Sequence, residues 1–236
     1  MDDQFSASGK VEEARIQAAY AKRQENTFYS WFNPSYVFMV QEQERRMLVA
    51  LKQHGFACLD NIKILEIGCG RGYWLREFIK WGAKPQNITG VDLLADRVEV
   101  ARKLCPEGVE IECGSAGKLG FRDGSFDLVL QSTVFSSVFD PSLRQQIALE
   151  MLRVIKKNGA ILWYDFHVNN PRNPDVQGIN KRKIEELFSG CRIELRRITL
   201  APPLARLLAP YSLMTCYLLE RFKVFNTHYL GVIRKL

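Results

Sequence analysis

Gly68, Gly70 and Gly72 stand at alternate positions directly after the apolar run Ile64-Leu65-Glu66-Ile67, and Asp92 closes a second apolar run twenty residues beyond Gly72. Glycines in a strand-to-helix turn tolerate positive φ and let the backbone approach a ligand, while the following helix offers unpaired amides at its start. A carboxylate ending the next strand can accept both hydroxyls of a ribose. Together these residues suit a nucleoside cofactor. The spacing is G-x-G-x-G, whereas a dinucleotide fingerprint spaces its glycines G-x-G-x-x-G to seat a pyrophosphate. Glu66, two residues before Gly68, adds an acidic group at the turn.

Acid–base candidates are few, because His54, His167 and His228 are the chain's three histidines. His167 follows Trp163-Tyr164-Asp165-Phe166, at the C-terminal end of an expected strand, where open α/β sheets place their ligands. A neutral imidazole there could take a proton from a hydroxyl or amine, with Asp165 orienting it or binding the acceptor itself. A hydrogen-bonded loop histidine is the competing reading. His54 and His228 read as structural, and no residue spacing suggests a metal site.

The segment Leu65-Glu66-Ile67-Gly68-Cys69-Gly70-Arg71-Gly72 resembles the first motif of the class I S-adenosylmethionine-dependent methyltransferases. Ile88 to Leu93, with Asp92, strengthens the resemblance. Phe121 to Leu130 is similar to the turn and fourth strand of the group that includes the ubiquinone and menaquinone biosynthesis enzymes. The likeness covers roughly residues 60 to 166. It implies a Rossmann-like, doubly wound α/β fold with a mainly parallel seven-stranded sheet, an antiparallel strand at one edge, N-terminal helices and a helical insertion before the last strand. It also implies S-adenosylmethionine as cofactor and S-adenosylhomocysteine as product.

In that family Gly68, Cys69 and Gly70 would lie against the amino-acid and ribose parts of the cofactor. Glu66 would organise the turn or meet the ammonium group, Asp92 would hold the ribose, and Leu93 and Arg97 would lie against the adenine. Ser115, beside Ala116, stands where family members often carry an acidic residue for the adenine amino group. Its hydroxyl accepts without a full charge, so adenine recognition would lean on backbone amides and stacking. Gly120 sits where relatives often carry proline. Gln131 would lie near the sulfonium or, alternatively, serve the following loop. Tyr20 to Arg23 and Tyr29 to Asn33 would fold over the pocket, or serve only as core aromatics.

The elements needed to position these residues are legible in the hydrophobic periods. Residues 11–27 and Val40, Met47, Leu48 and Leu51 predict two helices before the sheet. Strands at 88–93, 109–113 and 126–130 alternate with helices at 74–79 and 97–104, which predicts a parallel sheet covered on both faces. Asp140-Pro141 starts a helix expected to end near Asn158-Gly159. A strand over 160–166, a helix capped by Asn180, and strands over 192–200 and 228–234 complete the set. Residues 1–58 are read as a helical cap, 59–236 as the methyltransferase domain, and 201–222 as an insertion: a lid, a dimer face, a lipid-resting patch or a helix packed on the sheet.

With 236 residues, 47% hydrophobic and 25% charged, the chain can bury one substantial core. Six cysteines without Cys-x-x-Cys spacing read as reduced, and with no apolar stretch before Tyr29 a signal peptide is not expected, so the reading is cytoplasmic. The proline-broken 201–222 segment is not expected to span a membrane. The net charge of +7 is C-terminal: residues 141–236 carry 16 Lys and Arg against 7 Asp and Glu. That excess is either a solvated face or a surface for an anionic partner. The favoured reading is methyl transfer, preferentially to oxygen, on a small and partly apolar acceptor, by a monomer or homodimer without nucleic acid. An RNA methyltransferase, an NAD-dependent oxidoreductase and a non-enzymatic cofactor-fold scaffold remain open beside it.

Overall fold

The computed structural model describes residues 2–22, 27–170 and 173–236. Seven strands form one sheet: β1 (Ile64–Ile67), β2 (Ile88–Asp92), β3 (Glu110–Cys113), β4 (Phe126–Ser132), β5 (Ile155–Phe166), β6 (Cys191–Leu200) and β7 (Asn226–Lys235). Their order is β3-β2-β1-β4-β5-β7-β6, with β7 antiparallel to both neighbours and the others parallel. Among the described residues eight α-helices accompany them: α1 (Asp2–Ala21), α2 (Pro34–Gln53), α3 (Tyr73–Lys80), α4 (Ala95–Leu104), α5 (Pro141–Val154), α6 (Lys181–Leu187), α7 (Pro202–Leu208) and α8 (Leu213–Arg221). This is the α/β architecture expected from the alternating periods. Residues 23–26, within the helix expected over 11–27, lie outside the described residues.

Strands β1 and β2 are buried along their whole length, as both-face coverage by helices requires. Leu75 and Phe78 of α3, Val98 and Ala101 of α4 and Met47 of α2 pack on one face. Ile147 and Met151 of α5, Ile184 of α6 and Ile16 of α1 pack on the other. Caps set the helix starts: Asn33 Oδ1 accepts from Ser35 N at 3.0 Å, Asp140 Oδ1 from Leu143 N at 2.8 Å, and Asn180 Oδ1 from Lys183 N at 3.0 Å.

One boundary moves. The helix expected to reach Asn158-Gly159 ends at Val154, and β5 begins at Ile155 rather than Ala160. Phe126 pairs with Ile155 and Leu128 with Ala160, so the two strands shift register between them. A Cβ on Gly159 would come within 2.8 Å of Asp127 O. That glycine marks a close approach of two strands rather than a helix stop.

Trp163 fastens β5 to its neighbours: its ring lies 4.7 Å from Phe135 and 5.9 Å from Phe188, and it is fully buried. Trp163→Ala is expected to lower stability by about 3–5 kcal/mol through the cavity it leaves, read as a lower urea midpoint at unchanged slope.

Candidate functional site

The turn after β1 is built on left-handed backbone. Gly68, Gly70 and Gly72 have φ of 67°, 54° and 73°, a region closed to most side chains. A Cβ on Gly68 would meet Val134 Cγ2 at 2.5 Å, and one on Gly72 would meet Cys105 Sγ at 2.7 Å. At Gly70 it would meet only Arg97 Nη1, at 3.8 Å. The turn therefore presents bare backbone towards Arg97.

Asp92 closes this turn. Its Oδ2 accepts from Gly70 N at 2.7 Å and its Oδ1 from Leu94 N at 2.9 Å, while Val91 O accepts from Gly68 N and Cys69 N at 2.7 and 3.1 Å. Burial raises the Asp92 carboxyl above its usual range, with the two amides and Arg97 pulling it back.

Above the turn lies a cleft enclosing about 770 Å³, part of it open to solvent. Gly68, Asp92, Leu93, Arg97, Ser115 and Ala116 share its wall, which is continued by Ser132, Thr133 and Val134 after β4. Helix α1 contributes Glu13, Ile16 and Tyr20. Arg97 lies 4.4 Å over the Tyr20 ring. The helix is held by Arg15, whose Nη2 donates to Ser137 O at 2.5 Å, and by the Tyr20–Ser137 hydroxyl pair at 3.2 Å. Glu12 accepts from the amide of Phe139.

Several expected residues stand behind this wall rather than on it. Glu66 is buried in β1, where Leu75 N of α3 bonds its carboxyl; burial and the neighbouring Asp92 push its pKa well above the carboxylate range. Cys69 is buried, and burial likewise raises its thiol. Gln131 is fully buried: its Nε2 donates to Tyr164 O at 3.3 Å and its Oε1 accepts from Val134 N at 3.2 Å. It braces the Ser132–Val134 wall. Trp31 packs near Tyr36 and Tyr73, away from the cleft lining.

The expected pairing of Asp165 with His167 does not form. Asp165 Oδ2 accepts from Ser136 N at 3.1 Å and Oδ1 from Phe166 N at 2.8 Å. His167 Nε2 lies 2.8 Å from Asn226 O, which can only accept, and the ring sits 4.6 Å from Tyr229. Burial lowers the His167 pKa. Neither side chain is on the cleft wall. The loop expected to run from His167 to Arg172 includes Pro171 and Arg172, which lie outside the described residues. His228 is buried and stacked on Tyr164, 4.7 Å between rings, and its pKa falls to about 3 through burial.

Thr133 escapes a reading from sequence. It sits on the cleft wall with φ of 58°, its N donating to Tyr164 O at 2.8 Å. No residue type signals left-handed backbone there. Among the described residues no group of three or more His, Cys, Asp or Glu could hold a metal ion.

A strand-turn-helix with three left-handed glycines, an acid ending the next strand and a cleft at the C-terminal edge of a β3-β2-β1-β4-β5-β7-β6 sheet define a methyltransferase fold. Residues 64–159 match the family described as methyltransferase domain. The chain is 32% identical over 104 residues to the demethylmenaquinone methyltransferase of Staphylococcus aureus, covering 43% of this chain and 42% of that one. It spans less than half the length of the curated relatives it matches. Among solved structures it is similar to an S-adenosylmethionine-dependent methyltransferase from Mesorhizobium loti, with TM-score 0.57 and 20% identity over 79% of this chain and 96% of that one. It is also similar to the [4+2]-cyclase SpnF, with TM-score 0.60 and 14% identity over 83% and 82%.

Burial raises the pKa of Asp165 to about 6. The folded state thus holds a proton that the unfolded chain releases near pH 4. Asp165 contributes stability that is complete below about pH 4 and is lost as pH rises through about 6, on the order of 3 kcal/mol in all. Carboxyl NMR titration is expected to place its midpoint near 6; a midpoint near 4 would show that this site is solvated.

Proposed function

We propose that the chain is an S-adenosylmethionine-dependent methyltransferase acting on a small acceptor. The observation that carries this reading is the convergence of Gly68, Asp92, Leu93, Arg97, Ser115 and Ala116 on one cleft, with only Arg97 facing the backbone at Gly70. Those residues fit the cofactor. Asp92 keeps lone pairs free after two amide bonds and suits ribose hydroxyls, while the Arg97 plane and Leu93 suit a purine face. Ser115 and Ala116 stand where its edge would lie.

The cofactor supplies an electrophilic methyl group. What the protein has to supply is alignment and exclusion of water. Helix α1 closes one side of the cleft through Ile16 and Tyr20, and Gln131 and Asp165 hold the segment from Ser132 to Ser137 that forms another. Both act by positioning. With His167 donating to Asn226 O and Asp92, the other carboxylate on the wall, engaged by the Gly70 and Leu94 amides, Glu13 is the group we assign to receive the proton of an acceptor hydroxyl.

The acceptor we infer is a partly apolar molecule, with a lipid-linked or sugar-containing metabolite in that range and oxygen the favoured atom. Ile16, Val134, Val138, Leu143 and Ile147 make the cleft largely apolar, and the relative named for demethylmenaquinone accords with this. Against an RNA acceptor, part of the C-terminal positive charge is already paired: Lys181 with Glu185, Arg182 with Glu186, Arg192 with Glu194, and Lys156 with Asp127. Cytoplasmic residence and a cap formed by residues 1–58 belong to the same proposal.

Calorimetric titration of the wild type with S-adenosylhomocysteine is expected to give micromolar affinity. Asp92→Ala should weaken it about tenfold or more, as loss of a charged hydrogen-bond acceptor does, and Gly70→Val should abolish it. A folded wild type that releases no heat with this ligand and binds a nicotinamide dinucleotide instead would overturn the assignment.

A further inference from the structure

The segment between β6 and β7 turns apolar side chains outward. On their inner side α7 and α8 bury Ala205, Ala209 and Cys216 with Phe38 of α2 and Leu200 of β6. On the outer side Tyr211 is 87% exposed, Met214 68%, Leu218 54%, Phe222 61% and Val224 76%. The surface continues onto the turn before α2: Arg206 lies 4.2 Å over the Phe28 ring, Tyr217 meets Phe38 at 5.1 Å, and Phe32 is 97% exposed. An apolar patch of this extent marks a docking surface.

Charge decides what docks. The exposed charges of residues 201–225 are Arg221 and Lys223. The segment's one carboxylate, Glu220, is buried and accepts from Thr199 N at 3.1 Å. A symmetric contact between two copies sets the patch against itself, bringing these cations together without a carboxylate on the patch to neutralise them. An anionic bilayer offers both an apolar layer and negative charge. Tyr211 and Tyr217 have the apolar body and polar tip favoured at headgroup level. Among the described residues no helix is long and apolar enough to cross a membrane, so the fit is to a surface.

The patch also lies at the functional edge of the sheet. β6 runs parallel to β4 and β5, so α7 and α8 follow it at the C-terminal edge, where the cleft opens. Tyr164 bridges the two regions, its hydroxyl 2.9 Å from Thr199 Oγ1 and its carbonyl accepting from Thr133 N.

We propose that α7, α8 and the 28–32 turn dock on an anionic lipid surface, with Met214, Leu218 and Phe222 in the headgroup layer and Arg221 and Lys223 against lipid phosphates. Docking is independent of the methyl-transfer reading. The test is co-sedimentation of the full chain with phosphatidylcholine vesicles, with and without phosphatidylglycerol. Binding to the anionic vesicles alone is expected. Met214→Glu combined with Leu218→Glu, and separately Arg221→Glu combined with Lys223→Glu, should each lower partitioning about tenfold or more with an unchanged circular dichroism spectrum. Tyr211→Ser, on a side chain almost wholly in solvent, gives a milder loss without touching the buried face. Failure to sediment with either vesicle, or equal binding to both, would overturn the proposal. So would a dimer in ultracentrifugation that Met214→Glu dissociates, since a second copy would then cover the patch.

Discussion

The Asp92 carboxylate ties together two pieces of backbone on which the cleft depends. One oxygen takes the Gly70 amide and the other the Leu94 amide, so the glycine turn and the approach to α4 share a single buried acid. A turn with three consecutive alternate residues in left-handed backbone has little intrinsic preference for one shape, because glycine loses more conformational freedom on folding than any other residue. Two charge-assisted hydrogen bonds in a low-dielectric site supply that preference. Glu66 lies buried beneath and bonds the first turn of α3. The two acids cannot both ionise cheaply when buried together, and the more exposed partner, Asp92, is the one on the cleft wall.

The opposite wall depends on a different kind of support. Residues 131–139 leave β4 through Thr133 in strained backbone, and the strain is held by hydrogen bonds from behind: Thr133 N to Tyr164 O, Val134 N to Gln131 Oε1, and Ser136 N to Asp165 Oδ2. Strained residues persist only where their surroundings over-determine them. Gln131 and Asp165 are fully buried and spend their polar atoms on this loop. Their polarity serves shape more than chemistry. Helix α1 then completes the enclosure through Arg15 and Tyr20, so the cleft is formed by chain segments more than a hundred residues apart.

The fold alone does not decide the reaction, since a structure described as a [4+2]-cyclase shares it. What distinguishes this chain is the content of its cleft and the surface beside it. The same sheet edge carries the cleft wall that follows β1, β2 and β3 and an apolar, cationic shoulder on α7 and α8. The Tyr164–Thr199 hydrogen bond joins the two across β5, β7 and β6.

Much of this was legible without coordinates. Alternating periods determine an α/β sheet because a strand buried on both faces must be apolar throughout, and Gly68, Gly70 and Asp92 mark a tight strand-to-helix turn because few other residues tolerate that backbone or accept from it. The end of α5 is not legible in this way, because a glycine at a close strand crossing and a glycine ending a helix look alike in one dimension. Sequence proximity likewise joins Asp165 to His167. In space the two turn to different partners, Ser136 and Asn226, contributed by distant segments. Tertiary structure alone decided that Gln131 and Glu66 stand behind the wall, that Thr133 is strained, and that the 201–222 segment leaves an apolar face uncovered. Local pattern specifies which residues are buried or bent; which neighbour each polar atom meets depends on contacts across the chain, and these exist only once the sheet is assembled.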